Sequence, residues 1–116
     1  MTTSSPTKIA EKIKSTKYAK ESDFQADLIR WLKSKGCFVI KHQAGPGVPA
    51  GTADLSFYHC GFYGFLEVKL RKNSKHQPGQ DAFIHKMDEW SYARFVSPET
   101  FPELETDLAD LRKEDA

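Results

Sequence analysis

The stretch from Leu55 to Leu70 limits the fold more than any other part of the chain. It joins two aromatic and β-branched runs, Leu55 to His59 and Phe62 to Leu70, at the turn-forming pair Cys60-Gly61, a pattern that predicts a β-hairpin. A turn centred on that pair makes the numbers of facing residues sum to 121, which sets Asp54 opposite Glu67. Period-two alternation puts Lys69 on the face of Glu67 and turns Leu66, Val68 and Leu70 toward a core. Two carboxylates facing each other across strands repel unless a proton or a cation lies between them. A divalent cation would meet that need. Oxygen ligands of this kind suit Mg²⁺ or Mn²⁺, and the Val68 carbonyl could complete the protein's share of the shell.

The flanking segments supply helices. Phe24, Leu28, Trp31 and Leu32 recur at helical spacing, Ser22 and Gln25 read as a capping box, and Gly36 stops the run, predicting a helix from about Ser22 to Lys35. Cys37 to His42 reads as a strand that runs into a Gly/Pro loop from Ala44 to Gly51. Phe83, Met87 and Trp90 predict a second helix, Tyr92 to Ser97 a short strand, and Phe101, Leu104, Leu108 and Leu111 a third helix reached through Ser97-Pro98. The expected order is α-β-β-β-α-β-α, an α/β fold with a mixed sheet flanked by helices. Residues 1–20 are rich in Ser, Thr and Lys and read as a basic flexible arm or a marginal helix, leaving 21–116 as one domain. Glu21 and Gln80 each stand three and seven residues before apolar members of their helix stripes, so both side chains should project toward the sheet.

A chain of 116 residues has room for one small domain, and 39% hydrophobic content with eight Phe and two Trp supplies one core. No run approaches a membrane span and the N-terminus lacks an apolar leader, so a soluble, cytoplasmic protein is expected. Cys37 and Cys60 cannot form a disulfide framework, and both are expected to be small buried apolar residues. The net charge of +1 conceals an asymmetry. Residues 1–80 carry 13 basic and 6 acidic side chains, whereas residues 81–116 carry 4 and 10, consistent with a polyanion-binding face. The glycine-rich loop lacks the G-K-[ST] ending of a nucleotide-binding loop, which excludes an ATPase of that type. His59 and His85 are expected to be structural.

Glu21, the G-T-A-D run ending at Asp54, the E-V-K of Glu67 to Lys69, and Gln80 resemble the PD-(D/E)XK nuclease superfamily, and within it the VRR-NUC family, over about Glu21 to Ser97. Ala53 stands where that family has proline, a position that shapes backbone but supplies no ligand. The resemblance implies a restriction-endonuclease-like PD-(D/E)XK core and Mg²⁺-dependent hydrolysis of phosphodiesters. It implies that Asp54, Glu67 and the Val68 carbonyl hold the metal, that Glu21 holds a second metal or a metal-bound water, that Lys69 orients or deprotonates the nucleophile, and that Gln80 positions Lys69 or the water. Lys41, His42, Arg71, Lys72, Lys75 and His76 flank these residues and are expected to contact DNA phosphates. Stand-alone VRR-NUC proteins resemble dimeric Holliday-junction resolvases, which implies a homodimer nicking four-way junctions, and Phe57, Phe62, Tyr63, Phe65, Trp90 and Phe95 form an apolar surplus that fits self-association. The alternatives are a flap, duplex-end or restriction-type nuclease, or a non-catalytic nucleic-acid-binding module of the same fold.

Overall fold

The computed structural model describes residues 5–111. Eight elements follow in chain order: α1 (Pro6–Ser15), α2 (Glu21–Ser34), β1 (Phe38–Lys41), β2 (Leu55–His59), β3 (Phe62–Val68), α3 (Gln80–Trp90), β4 (Tyr92–Val96) and α4 (Phe101–Asp107). The strands form one sheet in the order β1-β2-β3-β4. The first three are antiparallel, and β4 joins β3 in parallel because α3 carries the chain back across the sheet. The architecture is α/β with a mixed four-stranded sheet, as expected.

Hairpin pairing runs from Leu55 opposite Leu66 to His59 opposite Phe62, keeping the sum of 121. Gly64 lies within this register because a Cβ there would stand 2.7 Å from the Phe57 ring and 2.9 Å from the Tyr92 carbonyl oxygen. One sheet face carries Leu55, Phe57, Leu66, Val68 and Val96 into the main core, against Phe24, Leu28, Trp31, Phe101 and Leu104. Trp31 meets Phe101 edge-on at 4.9 Å. The other face packs Ala53, Phe65, Ala93 and Phe95 against Phe83, Ile84 and Met87 of α3, and α3 leaves part of it uncovered. Phe38, Tyr58 and Tyr63 form an exposed cross-strand row there, with ring centroids 6.2 Å apart at both steps.

Several expectations are corrected. Of the flexible arm or marginal helix expected over 1–20, residues 1–4 lie outside those described and Pro6–Ser15 is a helix, docked rather than free: Pro6 suits its first turn, Ser5 caps it by accepting from the Lys8 N–H at 3.2 Å, and Ile9, Ala10 and Ile13 bury one stripe in the main core. The element order therefore gains a leading helix. Its charged side also docks. Asp27 is buried on α2 and accepts from Tyr18 Oη at 2.7 Å, Lys12 Nζ at 3.2 Å and Arg30 Nη1 at 3.0 Å. The Ser22/Gln25 capping box does not form, because α2 begins at Glu21 with Lys20 at the cap and Gln25 turns inward. Cys37 is buried, whereas Cys60 is exposed in the hairpin turn at φ 46°. Of the apolar surplus, Phe57 is core, Phe65 and Phe95 are partly buried, and Phe62, Tyr63 and Trp90 are exposed. Trp90 ends α3, 66% exposed, with Lys86 Nζ 5.4 Å from its ring centroid, so it is not a core member of that helix.

Candidate active site

The α3-side face of the sheet gathers the expected carboxylates at one end of the strands. Asp54 sits one residue before β2, where its carbonyl accepts from the His42 N–H at 2.7 Å and its Oδ2 accepts from the Val68 N–H at 2.9 Å. These bonds tie the segment before β2 to β1 on one side and β3 on the other. Glu67 projects from the penultimate position of β3 and is only 3% exposed. Its Oε2 accepts from Gln80 Nε2 at 2.8 Å, but its Oε1 is buried with no hydrogen-bond partner. Burial first, then the negative charge of Asp54, pushes the Glu67 carboxyl up to about 8. The charge of Lys69 opposes this rise but does not cancel it. Glu21, on the first turn of α2, is also raised, by loss of water and by Asp54, with Lys69 opposing, so it lies within electrostatic reach of the same centre.

Lys69 follows β3 and is buried. Its ammonium donates to Gln80 Oε1 at 2.9 Å and to the Lys75 carbonyl at 3.1 Å, and it stands 3.9 Å from Glu67 Oε2. Gln80 bridges both sides, giving its amide hydrogen to the acid and its oxygen to the lysine, and that oxygen also accepts the Gln77 N–H at 2.7 Å. The side chain's orientation is thereby fixed.

A feature of the loops escaped the sequence reading. Gly51 and Gly79 meet back to back, both at φ 85°, and a Cβ on Gly51 would lie 2.4 Å from the Gly79 carbonyl carbon and oxygen. This contact presses the Ala44–Gly51 loop onto the start of α3, where Gln80 begins the helix. A cleft of about 230 Å³ opens beneath, lined by His42, Gly51, Asp54, Gln77 and Gln80 among others. Glycine-rich loops signal such close approaches, yet nothing local says which two glycines meet.

The flanking residues expected at phosphates divide into two kinds. Lys41, Lys72 and Lys75 are exposed. Arg71 Nη1 is turned to the Tyr18 and Leu70 carbonyls at 3.4 and 3.2 Å. His42 Nε2 pairs with the buried Ser56 hydroxyl at 2.9 Å, and His76 stacks on Phe95. His59 is buried, and His85 is exposed 3.5 Å from Glu89. Among the described residues, no three or more His, Cys, Asp or Glu side chains stand close enough to form a metal cage by themselves. No described helix is long and apolar enough to cross a membrane.

Comparison with protein-family models, with curated proteins and with solved structures finds no match to this chain. Its function must be read from the chemistry of the site.

Proposed function

We propose that this protein is a metal-dependent endonuclease with a restriction-endonuclease-like PD-(D/E)XK core of the VRR-NUC kind. The observation that carries the reading is Glu67, a buried acid with one orphaned oxygen and a raised proton affinity, set beside Asp54 and Lys69. Leaving the Oε1 atom buried and unpartnered costs the fold a few kcal/mol, and a cation held by Asp54 and Glu67 would remove that cost. The donor set fits Mg²⁺ or Mn²⁺, since these ions take one or two carboxylates and complete their shell with water and substrate phosphate rather than a protein cage. Asp54, Glu67 and the Val68 carbonyl would hold the ion, and Glu21 a second ion or its water. When bound, the ion supplies a polarised phosphate and a more acidic water. Lys69, oriented by Gln80, offsets charge that builds on the phosphate oxygens.

The substrate in this reading is DNA, with the exposed Lys41, Lys72 and Lys75 neutralising its backbone and His42 contacting it beside them. We further infer a homodimer nicking four-way junctions. Two-fold symmetry supplies two opposed sites, and the exposed Phe38, Tyr58 and Tyr63 row is a surface a second copy could cover. The test is incubation with labelled four-way junction, flap, duplex and single-stranded DNAs, with Mg²⁺ and with EDTA. Mg²⁺-dependent cutting of the junction ahead of linear duplex supports the reading. Cutting of flaps or duplex alone removes the junction assignment, and no cutting of any substrate removes the nuclease.

A further inference from the structure

Hydrolysis of a phosphodiester needs a group that takes a proton from the attacking water, and Lys69 is poorly arranged for it. An ammonium has three protons and no lone pair; two of those of Lys69 are directed to Gln80 Oε1 and the Lys75 carbonyl, and the third side of the group faces Glu67. The residue that follows Lys75 is differently placed. His76 lies on Phe95 with ring centroids 3.9 Å apart and planes 9° from parallel, and its Nδ1 is 2.8 Å from Asp81 Oδ1. Phe95 is the register partner of Glu67 in the parallel pair, so the imidazole stands over the strand next to the acid. Lys69 and His76 line one cleft of about 150 Å³, together with Arg71 and Lys72.

A carboxylate accepts only, so Nδ1 must carry the hydrogen, and in the neutral ring Nε2 then keeps its lone pair. Stacking fixes the plane of the ring and Asp81 fixes its rotation, the two restraints that prepare an imidazole as a base. From this geometry we propose that His76 is the general base of the reaction and Asp81 its positioning residue. This rests on the nuclease reading and assigns a catalytic role that reading leaves open. As the water oxygen bonds to phosphorus, the water's O–H bond breaks and its proton passes to Nε2. The bond from phosphorus to the leaving sugar oxygen breaks, that oxygen takes a proton from solvent, and the imidazolium releases its own to solvent. The charged groups around the ring are Asp81 of α3, which contacts it, the cations Lys69, Arg71 and Lys72, which line the same cleft, and Glu67 of β3 on the strand beside Phe95. Phe95 contributes no charge.

Two measurements decide it. Nitrogen NMR of the full metal-free chain should show the Nδ1–H tautomer at His76, lost in Asp81→Asn; a predominant Nε2–H tautomer overturns the proposal. Single-turnover cleavage with Mg²⁺ across pH 5.5–9, for wild type and for His76→Gln verified as folded by circular dichroism, should show about a 10²–10³-fold loss. Added imidazole should partly restore cleavage by His76→Ala. Cleavage by His76→Gln within threefold of wild type at every pH overturns the base assignment while leaving the nuclease intact. An inactive wild type overturns both.

Discussion

Among the described residues two carboxylates are buried, on opposite sides of one sheet, and the fold treats them in opposite ways. Asp27, on the side of α1 and α2, receives three hydrogen bonds. Burial would raise it, yet the donors Tyr18, Lys12 and Arg30 more than offset that and hold its carboxyl below the usual range. Glu67, on the side of α3, has one oxygen satisfied by Gln80 and the other by nothing, and its carboxyl rises to about 8. Both acids are almost wholly removed from water. The difference lies in their partners. One acid is fully partnered and fastens a helix, whereas the other keeps an unpartnered oxygen beside Asp54 and Lys69, the contrast on which the proposed metal site rests.

The strongest way to break this contrast is to remove each acid. Glu67→Gln or Asp54→Ala should lower cleavage by about 10³-fold or more while DNA binding stays equal or tightens, because a repulsion of phosphate disappears. Glu67→Gln should also raise the melting temperature of the metal-free protein at pH 8 by roughly 5 °C, since it removes a buried charge that folding disfavours. Asp27→Ala should do the reverse. It should cost about 2 kcal/mol, less than a fully buried network because Lys12 and Arg30 are about half exposed and can turn to water, and leave cleavage per folded molecule within threefold. Activity assays paired with thermal melts would settle it, and a Glu67→Gln protein that still cuts within tenfold of wild type would undo the metal assignment.

The two acids should also write opposite slopes into stability against pH. Glu67 is raised on folding, so its contribution is complete below its unfolded value near 4.3 and is lost as pH climbs toward about 8. Asp27 is lowered, so its contribution is present above its unfolded value near 3.9 and is lost as pH falls through its lower folded value. Metal-free protein should therefore melt at lower temperature at pH 8 than at pH 5, with Mg²⁺ restoring the difference, and Glu67→Gln should flatten that limb alone. A flat wild-type curve between pH 5 and 8 would contradict the raised carboxyl.

What the sequence disclosed follows the same division. The hairpin register, and with it the nearness of Asp54 to Glu67, was legible because strand alternation and a short turn are local rules that carry across two adjacent strands, whereas the contact of Gln80 with Lys69 was implied only by the family resemblance. The anchoring of α1 was not legible, because its ten residues have few large apolar groups and its docking depends on Asp27 and Tyr18 farther along the chain. The Gly51 to Gly79 contact and the Asp81 to His76 pair were hidden for a related reason. Each joins a loop to the first turn of α3, and no periodicity runs through such a junction.

The loop contact offers an intermediate perturbation of the site without touching its chemistry. Gly51→Ala would place a methyl group 2.4 Å from the Gly79 backbone at a φ that alanine avoids. The Ala44–Gly51 loop must then lift from α3 and loosen Gln80. Cleavage should fall about 10-fold to 100-fold, measured beside Gly45→Ala, where a Cβ meets nothing within 4 Å and activity should hold. Equal activity in the two variants would mean that the loop does not shape the site.

The smallest effects concern charge at the rims of the two faces, and they separate cations by what already holds them. Lys12 and Lys14 are committed to Asp27 and Glu105, at 3.2 and 2.8 Å. Lys72 and Lys75 are exposed beside the cleft that holds Lys69 and His76. Each lysine that neutralises a phosphate releases a counterion from duplex DNA, so log affinity should fall linearly with log salt, and losing one such lysine should lower the slope by about 1. Lys72→Ala and Lys75→Ala should each do so and weaken binding similarly for every sequence, because phosphate contacts carry no base information. Lys14→Ala should leave the slope unchanged while destabilising the fold by about 0.5 kcal/mol or less, as expected for a surface pair. Equal slopes for all three variants would place the DNA elsewhere on the molecule, away from the face where Glu67 lacks its partner.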